Sequence, residues 1–188
     1  MSNVNIWPEY RDKIAGGWKC ITYEVFDGSG ADKKLIAKPH GDDPLGLVLI
    51  SQNGFLSAHI ARRDRMGPLP SGNPWQMGED KEVAYVARGL SMYCGYLELF
   101  KDNDGLWWQT KVECASDPNR MGGLEVRRVN YFEEDGKQFM ILQPKQDMIL
   151  EVSDFNKISC WFGQVLTYLE GWKTDKSDNQ MGEVRVSS

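Results

Sequence analysis

His59 stands next to last in the run GFLSAHI, and it is one of two histidines in 188 residues. Imidazole titrates near neutral pH, so a histidine in a cavity can give or take a proton. Alternation puts Phe55, Ser57 and His59 on one strand face and Leu56, Ala58 and Ile60 on the other. If the apolar set packs against another layer, His59 enters the interior. If the apolar set lines the interior, His59 meets solvent. Periodicity does not choose between these. The mixed face suits a cavity for a polar ligand, so His59 is expected to point inward.

Three more residues could join it. Glu24 lies in GWKCITYEVF, on the same alternating face as Trp18, Cys20 and Thr22. A carboxylate in a partly dry cavity gains a raised pKa and can shuttle a proton. Tyr93, in SMYCGYLELF, could orient a ligand carbonyl through its hydroxyl, as could Tyr96 on the opposite face. Gly95 between them marks a close approach of another group. Arg127 and Arg128 point oppositely, so one faces inward and needs a carboxylate partner. Glu24, Glu98 and Glu113 are the available ones. Arg127 is taken as the inward member. Its role is a structural ion pair or a ligand anchor. Trp107 and Trp108 likewise diverge, and the inward one offers a flat apolar wall. Trp108, Trp161, Tyr96 and Phe55 are the expected ligand-binding residues.

The elements that position these residues are mostly strands. WPEYRDKI (7–14) fits a short helix, with Pro8 in its first turn. Strands are expected at 17–26, 45–51, 54–60, 91–100, 105–114, 123–132, 137–144, 147–152 and 158–173. Asn53-Gly54 predicts a type I′ hairpin between the second and third of these. DGSGADKKLIAKPHGDD reads as a loop. MGPLPSGNPW (66–75) reads as a long loop of the kind that often covers or binds a ligand. The substantial helix is GEDKEVAYVARGL (78–90), just before the middle strand. Eight or nine antiparallel strands with short connections tend to close on themselves. The expected fold is therefore mainly β: an up-and-down barrel with room for one small ligand. A β-sandwich is the alternative. One domain is expected over 1–188, with a core at about 15–173, a short N-terminal helix and a flexible C-terminal tail.

Several phrases resemble the small stand-alone lipocalin-like domain family of calycin-type barrels. They are GGWKCITYEVF, KPHGDDPLGLVLISQNGFLSAHI, VARGL followed by MYCGYLEL, DPNRMGGLEVRRVNY and the closing EGWK. They occur in the family's order across roughly residues 15–173. The resemblance implies an eight-stranded barrel open at one end to a small apolar molecule. It also implies that Trp18 points inward as a barrel floor against Arg127 or Arg128. Glu24, on the face of Trp18, would then sit toward the mouth. Members occur in fungal and bacterial natural-product pathways, where some calycin-type barrels act as isomerases or cyclases without a cofactor.

Composition narrows the partners. The net charge of −5 repels phosphate backbones, and Asp64 interrupts the one basic cluster, so no nucleic acid is expected. No apolar run approaches the roughly 20 residues of a membrane helix. Cys20, Cys94, Cys114 and Cys160 form no C-x-x-C pair and read as buried free thiols in a cytoplasmic protein. His40 and His59 lack metal-ligand spacing, and no nucleotide or flavin motif is present. No metal and no cofactor are expected. A homodimer is compatible with the acidic surface, although nothing specifies one. The function that follows is a cofactor-independent isomerase or cyclase acting on a small hydrophobic natural-product intermediate. The alternative is a non-catalytic carrier of a hydrophobic ligand.

Overall fold

The computed structural model describes residues 4–27, 33–145, 148–154 and 157–172, with side chains described over 4–27, 33–145 and 169–171. Helix α1 (Trp7–Ile14) leads into β1 (Gly16–Asp27), β2 (Lys34–Ala37), β3 (Leu45–Ile50) and β4 (Phe55–Ala61). Helix α2 (Asp80–Ala87) precedes β5 (Leu90–Asp102), β6 (Gly105–Ala115), β7 (Leu124–Glu134), β8 (Lys137–Pro144), β9 (Met148–Asp154) and β10 (Lys157–Trp172). Strand order is β2-β1-β3-β4-β5-β6-β7-β8-β10-β9, and β10 also pairs with β1. That last pairing closes an eight-stranded antiparallel ring, which removes its exposed edges. The expected barrel is the observed one. Strand β2, read from sequence as loop, pairs with the far half of β1 outside the ring.

Two bulges set which residues face inward. Between Cys20 and Thr22, β1 advances two residues while β10 advances one, so Ile21 is extra. Trp18 and Cys20 face the interior before the bulge, and Tyr23 and Val25 after it. Alternation through Ile21 therefore fails for Glu24. A second bulge, at Glu113, shifts β6 against β5 between Cys94 and Gly95. A Cβ placed on Gly95 would lie 1.9 Å from the Lys111 carbonyl oxygen, so this is the close approach that its glycine permits.

Helix α1 closes one end of the ring. The Trp18 indole donates to the Ile14 carbonyl at 2.9 Å, and the Trp7 indole to the Gln52 carbonyl at 3.0 Å. Trp18 meets Tyr131 edge-on. The floor thus rests on a helix carbonyl and a tyrosine, where Arg127 or Arg128 was expected. The β3–β4 hairpin is present, but its turn differs. Gln52 and Asn53 have negative φ, and Gly54 alone is left-handed at +84°. Gly54 N–H bonds the Ser51 carbonyl, which makes a type I turn followed by a glycine bulge. The two positive φ angles of a type I′ turn occur at Asp135-Gly136 between β7 and β8.

The cysteines are not uniformly buried. Cys20 is in the core, and burial pushes its thiol up to about 12. Cys114 is exposed, and Cys94 stands directly opposite it on β5. Cys160 lies outside the residues with described side chains. Iodoacetamide at pH 8 is therefore expected to alkylate Cys114 on the folded chain and to spare Cys20 until denaturant is added. Peptide mass mapping reads both sites. Equal labelling of the two would contradict this packing.

Candidate functional site

The lumen opens at the end away from α1, as a cavity of about 360 Å³. That volume suits one small organic molecule. Its lining is two-sided. Val48, Leu56, Ala58, Ile60 and Leu142 form an apolar wall from β3, β4 and β8. Tyr23, Ser91, Tyr93, Arg120, Glu125 and Arg127 form the polar wall, with Asp117 at the rim. Strand β7 is four strands from β3 in either direction round the ring, so its charges face Val48 across the lumen.

Each polar residue has a local reason for its place. On β7, alternation sends Glu125, Arg127, Val129 and Tyr131 inward. Arg120 ends a 3-10 turn, Pro118–Arg120, whose preceding Asp117 accepts the Asn119 N–H at 3.0 Å. That cap turns the chain so that Arg120 reaches back over the lumen. Arg120 Nε donates to Glu125 Oε1 at 2.7 Å, and Arg127 Nη2 to Glu125 Oε2 at 2.7 Å. One carboxylate thus bridges two guanidiniums, with all three side chains at most 20% exposed. The Arg120 guanidinium lies 4.5 Å from the Tyr93 ring centre, a cation–π contact.

The tyrosines are held protonated. Burial raises the pKa of Tyr23, opposed by the charges of Arg127 and Arg120. Burial raises that of Tyr93 as well, with Arg127 the main opposing charge. Neither hydroxyl makes a hydrogen bond among the described residues, so both O–H groups are free to donate to a guest. Tyr23 also meets the His40 ring edge-on at 4.8 Å. Burial lowers the His40 pKa, which keeps that imidazole neutral.

The family model for the lipocalin-like domain matches residues 15–161, most of the chain. The chain belongs to the lipocalin-like domain family. No curated protein and no solved structure gives a significant match. Eight-stranded barrels of this kind have an interior that can hold one small molecule, and the cavity of this lipocalin-like domain has the volume for one.

Of the residues singled out from sequence, the structure brings Tyr93 and Arg127 together in the cavity. It places four others outside. His59 is exposed and hydrogen-bonds Ser57 at 2.9 Å, because Leu56, Ala58 and Ile60 line the lumen. Phe55 packs edge-on against the half-exposed Tyr96 on the outer surface. Glu24, turned by the β1 bulge, pairs with Lys38 at 3.6 Å and lines no part of the cavity. Trp108 faces inward but is fully buried in the core rather than on the cavity wall. The Trp161 side chain lies outside the described residues. The outward members of the two pairs are Trp107, capped by Lys145, and Arg128, paired with Asp102. Arg128 holds the Asp102 carboxyl down at about 2. The 66–75 loop packs toward α2, where Ser71 bonds Glu82, and none of it lines the cavity.

Sequence reasoning missed Tyr23, Ser91, Arg120 and Glu125. Glu125 replaces the expected partners Glu24, Glu98 and Glu113. Two-residue alternation from Arg127 points straight to it. Among the described residues no group of three metal-ligating side chains comes together, and no helix is long and apolar enough to cross a membrane.

Proposed function

We propose that this lipocalin-like domain is a cofactor-independent cyclase or isomerase for a small, largely apolar molecule held in the lumen. The observation that carries this is the division of the cavity. Half-buried phenols with unbonded hydroxyls stand beside arginines, and they face an aliphatic wall. The aliphatic wall folds the apolar body of the substrate, and holding reacting atoms together lowers the barrier by several kcal/mol. Arg127 fixes the oxygen-bearing end. Tyr93 donates its O–H to a reacting carbonyl. In a cyclisation the substrate's own nucleophile attacks that carbonyl carbon. The carbonyl π electrons move to oxygen, where the Tyr93 O–H stabilises the developing charge, and the nucleophile's own proton passes to that oxygen, so the product is an isomer of unchanged mass.

Cyclisation suits the site better than an isomerisation that needs a strong base. Both Glu125 oxygens are engaged by arginines, and no free imidazole lines the cavity among the described residues. The same shortage of a base favours a second reading, a carrier that binds without turnover.

The test is a panel of polyene and phenolic ketones incubated with the chain and separated by chiral chromatography with mass detection. A product of unchanged mass is expected from at least one of them. Its formation should fall about 100-fold in Tyr93→Phe, the scale of losing one donor to a developing oxyanion. His59→Ala should match the parent rate. Ligand binding without conversion across the panel would leave the carrier reading in its place.

A further inference from the structure

We infer that the guest of this cavity carries a carboxylate, seated between Arg120 and Arg127. This rests on the lumen being the ligand site, and it adds the charge class of the ligand.

The polar wall is rich in donors and short of acceptors. Each guanidinium has five N–H donors, and on each only two have a partner among the described residues. For Arg120 these are Glu125 and, at 3.5 Å, the Ser91 hydroxyl. For Arg127 they are Glu125 and the Val126 carbonyl. The hydroxyls of Tyr23 and Tyr93 are further donors.

The charges point the same way. Glu125 neutralises one guanidinium, and the second is left over in a largely enclosed site. Asp117 does not balance it, because that residue is exposed at the rim and its carboxylate accepts the Asn119 N–H. Buried charge is normally paired, so a surplus cation calls for an anion. A planar carboxylate matches the guanidinium fork. The aliphatic wall opposite sets the rest of the ligand: a compact apolar body of ring or short-chain type, limited by about 360 Å³.

A matched pair of competitors tests this. N-phenyl-1-naphthylamine, a neutral dye that brightens in apolar cavities, serves as reporter. It is displaced either by 1-naphthaleneacetate or by 1-naphthaleneacetamide, which share size and body and differ in charge. The carboxylate is expected to compete at least 10-fold better than the amide. Arg127→Gln and Arg120→Gln should each shrink that ratio toward one, and the rim variant covers the case in which the β7 variant fails to fold. Ala58→Phe, which fills the lumen, should weaken both competitors together. Equal competition by the two in the parent chain would overturn the carboxylate subsite and leave the cavity standing. A dye that fails to bind, or that binds Ala58→Phe unchanged, would overturn the cavity itself and the subsite with it.

Discussion

Gly95→Ala will lower the stability of the barrel by about 3 kcal/mol, the upper part of the range for overpacking a close contact. The added methyl would sit 1.9 Å from the Lys111 carbonyl oxygen and 2.9 Å from its carbonyl carbon. Both are backbone atoms of the neighbouring strand, so no rotamer change relieves the contact. Strands β5 and β6 must move apart where Gly95 pairs with Val112, next to the Glu113 bulge. In a chain of this size about 3 kcal/mol corresponds to roughly 6–12 °C in Tm. Gly67→Ala is the comparison, because a methyl there meets nothing within 4 Å. It should melt within about 2 °C of the parent, since surface changes away from contacts stay within about 0.5 kcal/mol. Thermal melts followed by circular dichroism decide the matter. If Gly95→Ala and Gly67→Ala melt together, the strand approach at the bulge is not as tight as described. Tyr93 lies two residues away on the same strand face, so weaker ligand binding should accompany the loss of stability.

The same bulges explain where the sequence was readable and where it was not. Strand existence is written in β-branched and aromatic runs, and the strands from β3 to β10 begin and end within a residue or two of expectation. Closure follows from their number. Facing is a parity problem, and one inserted residue reverses it. On β1 parity is right through Cys20 and wrong beyond Ile21, so Tyr23 enters the lumen where Glu24 was expected. No residue type at Ile21 announces the insertion. His59 fails for a different reason. The face holding Leu56, Ala58 and Ile60 is apolar whether it lines a lumen or meets a second layer. On β7 no bulge intervenes between Glu125 and Tyr131. There parity carries from Arg127 to Glu125 intact. Arg120 sits in a turn, where no periodicity operates. Its signal is chemical: an Asp-Pro-Asn sequence that caps a 3-10 turn and fixes the direction of the next side chain.

Glu125→Gln should have the second large effect, and its sign should depend on what fills the lumen. In the empty barrel the substitution leaves two guanidiniums facing one neutral amide. Removing one partner of a buried ion pair commonly costs 3–5 kcal/mol. These side chains retain some exposure, up to 20%, and the glutamine oxygen still accepts one bond. The expected loss is therefore about 2 kcal/mol, or roughly 4–8 °C in Tm. A carboxylate ligand then supplies the missing charge. 1-Naphthaleneacetate at about 100 times its Kd adds roughly 2.7 kcal/mol by mass action alone, which is enough to reverse the loss. It should also bind the variant more tightly than the parent, because no resident carboxylate competes for the arginines. The isosteric amide should restore much less. A structural triad with no ligand role predicts the opposite pattern: the loss of stability appears, and neither compound recovers it selectively. Melting curves of parent and variant with each compound therefore separate a charge placed to hold the barrel together from a charge placed to hold its guest.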